Sequence, residues 1–257
     1  MQQILDQLVA MSLSLGAPEK DYVILGEGNT SARLDEETFL VKASGYSLPS
    51  IAANGFVRVR FDAALALLEQ DGLSDSAVKE ELLAATVDNP QQRWPSVETT
   101  FHALCLTLGE ASFVGHTHPS LVNSILCSQV AETAFARPLF PDQIVVCGPA
   151  PAYVPYVDPG TPLAKAIREA IIRYGETYSM PPKVILLQNH GMIALGRSAQ
   201  EVESITDMFV KTARTILGAY AAGGPHYMSP ENVERIFSRP DEHYRQKVLG
   251  LKVDSPQ

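Results

Sequence analysis

The stretch A-S-F-V-G-H-T-H-P-S, residues 111–120, decides how this chain is read. Residues 111–118 read as a strand, and Pro119 ends it because proline has no N–H to continue a ladder. Residues two apart on a strand share a face. His116 and His118 therefore present both rings to one side, roughly 6–7 Å apart at Cα from the strand rise. Two convergent imidazoles are a start on a divalent metal site. The alternative is one buried, satisfied ring and one solvated ring.

Helical patterns flank this strand. Pro95-Ser96 opens one that runs to Leu108, and another follows Pro119 to Cys127. Further out, Ile4, Leu5, Leu8, Val9, Ser12 and Leu15 recur at helical spacing, and Gly16 and Pro18 stop that helix. L-G-E-G-N-T-S-A-R-L (25–34) is turn-rich. T-F-L-V-K-A (38–43), G-F-V-R-V-R (55–60), Q-I-V-V-C-G (143–148) and A-Y-V-P-Y-V (152–157) read as strands, while 61–70 and 76–87 read as helices. A helix from Thr161 carries Pro162 in its first turn. K-V-I-L-L-Q-N-H-G-M-I-A-L-G (183–196) reads as two strands broken at Asn189-His190-Gly191. Ser198-x-x-Glu201 is a capping box for a long helix to Ala222, which Gly223-Gly224-Pro225 ends. Interleaved strands and helices predict one α/β domain over residues 1–257, with a central sheet covered by helices. Short helices in 225–257 would pack on that domain or on a neighbouring subunit.

The 257 residues carry a net charge of −9 and are 46% hydrophobic, enough for a substantial core. An acidic chain argues against nonspecific binding to nucleic acid or anionic membrane. No apolar run approaches the roughly 20 residues of a membrane span. The N-terminus has Asp6 inside its apolar pattern and no early basic residue, so it does not read as a secretory signal, and a cytoplasmic location is expected. Cys105, Cys127 and Cys147 read as reduced core thiols; no C-x-x-C occurs.

His190, at the strand break, raises the case for a metal. A strand-to-turn junction holds a functional side chain on a rigid frame, and Gly191 permits close backbone approach. Three imidazoles with an open fourth position make a catalytic rather than a structural zinc site. His102 reads as core or support, and His226 and His243 as surface residues. Glu98 falls in the first turn of a helix, where the macrodipole alone favours a carboxylate. G-E-G-N-T-S (26–31) and A-S-G-Y-S (43–47) are loops of a kind that can bind phosphate through clustered amides, although alone such loops are more often ordinary turns.

In order, G-E-G-N-T-S, A-S-G, P-S-V-E-T-T-F-H, G-H-T-H-P and Q-N-H-G resemble the class II aldolase/adducin family, from about residue 5 to at least residue 222. The resemblance implies a three-layer α-β-α sandwich around a mixed or antiparallel sheet. It also implies a homotetramer with active sites between subunits, acting on a small sugar or sugar-phosphate substrate. A divalent metal, usually zinc, would be held by His116, His118 and His190. Glu98 would be the catalytic acid/base. Phosphate-binding positions fall on Asn29, Ser44, Gly45 and Ser96, with Gly28 and Ser31 shaping the first loop. Tyr244 stands where members bring a tyrosine from a neighbouring subunit.

The chain departs from the aldolase pattern at Val97, where a second serine is usual. Lys42 beside the second loop is a source of compensating charge. Aldol cleavage of a ketose phosphate is the leading expectation. A decarboxylase, dehydratase or 4-epimerase on the same frame is the alternative; the epimerases usually carry Asp where Glu98 stands. A non-catalytic adducin-like module would be expected to lose the three histidines. A cupin barrel would want a Glu shortly after His118, and none precedes Glu132.

Overall fold

A computed structural model describes residues 1–70 and 72–239. The chain runs through α1 (Gln2–Leu15), β1 (Asn29–Arg33), β2 (Thr38–Lys42), β3 (Phe56–Arg60), α2 (Phe61–Ala66), α3 (Asp75–Ala84) and β4 (Thr86–Val87). It continues through α4 (Thr99–Thr107), β5 (Phe113–Thr117), α5 (Ser120–Leu126), α6 (Ala131–Ala134), α7 (Pro141–Cys147) and β6 (Ala152–Val154). The last elements are α8 (Thr161–Tyr178), β7 (Val184–Leu187), β8 (Gly191–Gly196), α9 (Ala199–Ala221) and α10 (Pro230–Ser238).

The strands form one sheet in the order β4-β3-β2-β1-β5-β8-β7-β6. The β6–β7 pair is parallel and every other pair is antiparallel, so the sheet is mixed. Alternation along the strands sends side chains to two cores. Ala32, Phe113, Leu186 and Met192 meet α1, α5, α7 and α9 on one face. Phe39, Val41, Val114, Leu187 and Ile193 meet α2, α4 and α8 on the other. This is the three-layer α-β-α arrangement expected. Each fully buried Phe, Leu or Ile contributes roughly 1.5–3 kcal/mol by burial.

Several boundaries differ from the sequence reading. Of residues 143–148, read as a strand, 143–147 belong to α7. Pro141 starts that helix, Asp142 favours its first turn, and Gly148 at φ +85° stops it. Gln143 through Cys147 are all buried, so the apolar run carried no face pattern to separate strand from helix. The turn-rich 25–34 contains β1, whose small polar residues have weak strand preference; pairing with β2 and β5 fixes it. The helix read over 76–87 ends at Ala84, and its last residues form β4. Cys105 and Cys147 are buried as expected, whereas Cys127 is exposed at the end of α5.

Helix α4 starts later than read, at Thr99. Pro95 makes a β-bridge to Ala43, and Ser96 N donates to Lys42 O at 3.1 Å, so the chain is still tied to β2 there. Glu98 is therefore the residue before α4, at φ −93° and ψ 6°, rather than inside its first turn. Ser198 caps α9 as expected, its hydroxyl accepting from Glu201 N at 3.1 Å. Among the described residues no helix is long and apolar enough to cross a membrane.

Candidate metal centre and active site

Strands β1, β5 and β8 lie side by side at the centre of the sheet, and their ends carry the polar residues. Asn29 opens β1 opposite His116 of β5, and His116 pairs in turn with Ile193 of β8. His116 faces the α4 layer and is fully buried, edge-on to Phe101 at 5.5 Å between ring centroids. His118 follows one residue past β5. His190 sits in the tight turn between β7 and β8, where Asn189 adopts φ +55°. Asn123 of α5 donates its amide to the His190 carbonyl at 2.9 Å and braces that turn.

The three rings converge. Their centroids are 4.7–4.9 Å apart, and one nitrogen from each lies within 4.8 Å of the others. Nε2 of His116 and Nε2 of His118 face each other at 3.0 Å. His116 Nδ1 donates to the Met192 carbonyl at 3.0 Å, which leaves its Nε2 lone pair for the centre. Burial first, then the neighbouring imidazoles, push His116 and His118 down to about 3. Both are therefore neutral near pH 7, the form that ligates a metal. Three imidazole nitrogens meeting at one point fit a divalent cation.

Two glycines make this convergence possible. A Cβ on Gly191 would lie 2.5 Å from Thr117 O and 2.7 Å from His118 Cδ2. Gly28, at φ +68°, would place one 2.7 Å from His116 O.

Glu98 is buried and faces the histidines. Its Oε2 is 3.5 Å from His116 Nε2, and its Oε1 is 3.4 Å from His190 Nε2. Asn29 Nδ2 donates to Glu98 Oε2 at 2.6 Å and to Ser96 Oγ at 3.2 Å. Asn29 Oδ1 is held by His102 Nε2. Ser31 lies behind His102, with Oγ 2.7 Å from Nδ1. His102 is fully buried, and burial pushes it down to about 3. The sequence reads His102 as core or support; its place one helical turn past Glu98 is the local signal for a role beside that carboxylate. Glu27, which the sequence reading did not single out, lies 3.9 Å from His118 Nδ1 on the outer side of the site.

Lys42 is buried, and its ammonium donates to Tyr46 O at 2.5 Å and Gly26 O at 3.4 Å. It thus ties the two glycine loops together. Desolvation lowers its pKa, and the Glu98 charge partly offsets that. Ser44 and Gly45 are exposed at the turn of the second loop, with Gly45 at φ +85°. Val97 is 40% exposed and lines a cavity of about 580 Å³ between the segment around Lys79 and the start of α8. None of the three histidines lines that cavity. Tyr244 lies outside the described residues.

The model of the class II aldolase and adducin N-terminal domain matches residues 6–217. The chain belongs to this family. Members are typically lyases and generally depend on a divalent metal. Among curated relatives, the 3-oxo-tetronate 4-phosphate decarboxylase of Haemophilus influenzae is 26% identical over 198 residues, 76% of this chain and 79% of that one. An uncharacterised oxidoreductase of Bacillus subtilis, YuxG, is 26% identical over 216 residues, 81% of this chain. This chain spans only 29% of that protein's length. A solved L-fuculose 1-phosphate aldolase superposes with a TM-score of 0.71 over 95% of this chain and 97% of its own, at 19% identity. That last likeness supports the fold.

Proposed function

We propose that this protein is a zinc-dependent lyase that cleaves or forms the aldol bond of a ketose phosphate of the fuculose or rhamnulose type. The observation that carries this reading is the meeting of three imidazoles with a buried carboxylate 3.4–3.5 Å from two of them. His116, His118 and His190 would hold the cation, and three nitrogen ligands suit zinc. When bound, it supplies Lewis-acid polarisation of a substrate carbonyl.

The chain's own groups supply the rest. Glu98 takes or returns the proton at the carbon beside that carbonyl. Asn29 holds one oxygen of Glu98 and thereby aims the other. Ser44, Gly45 and Ser96, with the loop shaped by Gly28 and Ser31, frame the phosphate end, and Lys42 fixes the spacing of the two loops. Tyr244 of a neighbouring subunit exchanges the proton of the hydroxyl that becomes the aldehyde oxygen, removing it in cleavage and returning it in condensation. Ile24, Leu25, Trp94 and Tyr156 are exposed apolar residues on segments next to site residues, as expected if a second copy covers the site in a cytoplasmic homotetramer.

Decarboxylation of a 3-oxo sugar-acid phosphate is the second reading. The similarity to the Haemophilus decarboxylase over 79% of its length favours it. Both reactions generate the same kind of enolate, so one carboxylate and one cation serve either. Epimerisation ranks lower because Glu98 is not Asp, and a non-catalytic module ranks lower because all three histidines are present.

The deciding experiment offers the zinc-loaded protein a panel of ketose 1-phosphates and 3-oxo-4-phospho sugar acids and identifies products. Dihydroxyacetone phosphate plus an aldehyde supports the aldolase reading. Carbon dioxide release moves the assignment to the decarboxylase. Neither product from any member of the panel would refute both.

A further inference from the structure

His102 makes no contact with the three-histidine cluster through a ring nitrogen, yet both of its nitrogens are used. Its ring is stacked on Phe101 at 4.8 Å between centroids, with 22° between planes, inside the α4 layer. Nε2 meets the side-chain oxygen of Asn29, and Nδ1 lies 2.7 Å from Ser31 Oγ. An amide oxygen only accepts, so Nε2 carries the hydrogen. Nδ1 is then bare and accepts from the Ser31 hydroxyl. The Asn29 amide nitrogen is turned toward Glu98 Oε2 at 2.6 Å and Ser96 Oγ at 3.2 Å. Donors therefore run in one direction: Ser31 to His102, His102 to Asn29, Asn29 to Glu98.

The opposite amide orientation would fail at both ends. Oδ1 would face the Glu98 carboxylate, and Nδ2 would face the imidazole N–H. A neutral histidine with its proton on Nε2 selects one of two nearly isosteric amide orientations. A carbon or hydroxyl side chain at position 102 would not do this.

We propose that His102 is a positioning residue for Glu98: its Nε2–H locks the Asn29 amide, which pins Oε2 and leaves Oε1 to handle the substrate proton. This rests on the lyase reading for its consequence in turnover. It rests on hydrogen-bond geometry alone for the lock itself.

The test uses the full-length, zinc-loaded protein with histidine and asparagine labelled with nitrogen-15. The ring nitrogen shifts should report an Nε2–H tautomer for His102, assigned by its loss in His102→Phe. That variant keeps an aromatic ring against Phe101 but has no N–H. In it the Asn29 side-chain amide resonances should move and broaden. Zinc stoichiometry should stay at the wild-type value. On whichever substrate the wild type turns over, kcat should fall by about 10- to 100-fold, the scale of an ångström-level misplacement, with KM within threefold. His102→Gln, which restores an N–H donor, should recover most of kcat, and it serves as the informative variant if the phenylalanine protein does not fold.

An Nδ1–H tautomer overturns the proposal, as does an unmoved Asn29 amide. Loss of zinc in step with kcat in both variants overturns it too, since that is what a merely structural role predicts. If the wild type turns over nothing, the lyase reading fails, and the tautomer and amide resonances still decide whether the lock exists.

Discussion

Substituting Gly191 by alanine puts one methyl group where two strands and two imidazoles meet. The added Cβ would fall 2.5 Å from Thr117 O, 2.7 Å from His118 Cδ2 and 3.4 Å from His116 Cε1. Thr117 is fixed in β5 opposite Met192, so its carbonyl has little room to retreat. His118 lies just past the strand and its ring gives way, by roughly 1 Å. Overpacking of this kind costs about 1–3 kcal/mol. Disturbing the support of a metal ligand typically weakens the metal by about 10- to 100-fold, or roughly 1.4–2.7 kcal/mol. Gly191→Ala should therefore melt earlier and bind zinc about 10- to 100-fold more weakly in competition with a chromophoric chelator. Gly175→Ala is the control. It lies within α8 with nothing inside 4 Å of its would-be Cβ, and should stabilise by roughly 0.5–1 kcal/mol. Wild-type zinc affinity and melting temperature in Gly191→Ala would refute the convergence described for this site.

Glu98→Gln keeps a group able to accept from Asn29 but removes the proposed base. Turnover on the identified substrate should fall by at least about 100-fold while bound zinc, measured by elemental analysis, is unchanged. Lys42→Met removes the tie between Gly26 and Tyr46; hydrogen exchange followed by mass spectrometry should show residues 24–28 and 43–47 opening faster. Global stability should change less, because burying the ammonium already carries a desolvation penalty. His102, His116 and His118 have folded values near 3, below the ordinary 6.5. Each binds fewer protons folded than unfolded, so stability is fully present above about pH 6.5 and lost as pH falls toward 3. Urea titrations of the metal-free protein should show stability declining by up to ~1.4 kcal/mol per pH unit per histidine below that point; a level profile from pH 8 to 5 would contradict neutral burial.

Much of this was written in local sequence. The alternation in 38–43 and 55–60 yielded β2 and β3, and the Ser198–Glu201 pair marked the start of α9 because capping chemistry is local. The same-face histidines followed from strand geometry alone. What stayed hidden depends on partners distant in the chain. Asn29 to Arg33 is a central strand because β2 and β5 bracket it, and no property of N-T-S-A-R announces that. The run 143–147 is buried on every side, which erases the period that separates helix from strand. His102 looked like core because it is core by burial. Its importance lies in which way its protons point, and that depends on Ser31 and Asn29, some seventy residues earlier.

The placement of Asn29, Glu98, His116 and His190 on β1, before α4, on β5 and before β8 also bears on how the molecule comes together. Strands adjacent at the middle of the sheet are far apart along the chain, so the centre exists only after long loops have closed and three non-consecutive strands have paired. Topologies of this kind fold slowly. No piece of the chain that ends before residue 190 holds all three imidazoles. Zinc at a hundredfold over its dissociation constant would add about 2.7 kcal/mol to the finished fold. Uptake of a divalent metal by the proposed site should thus time assembly: it should lag behind helix formation and coincide with the docking of β8 against β5.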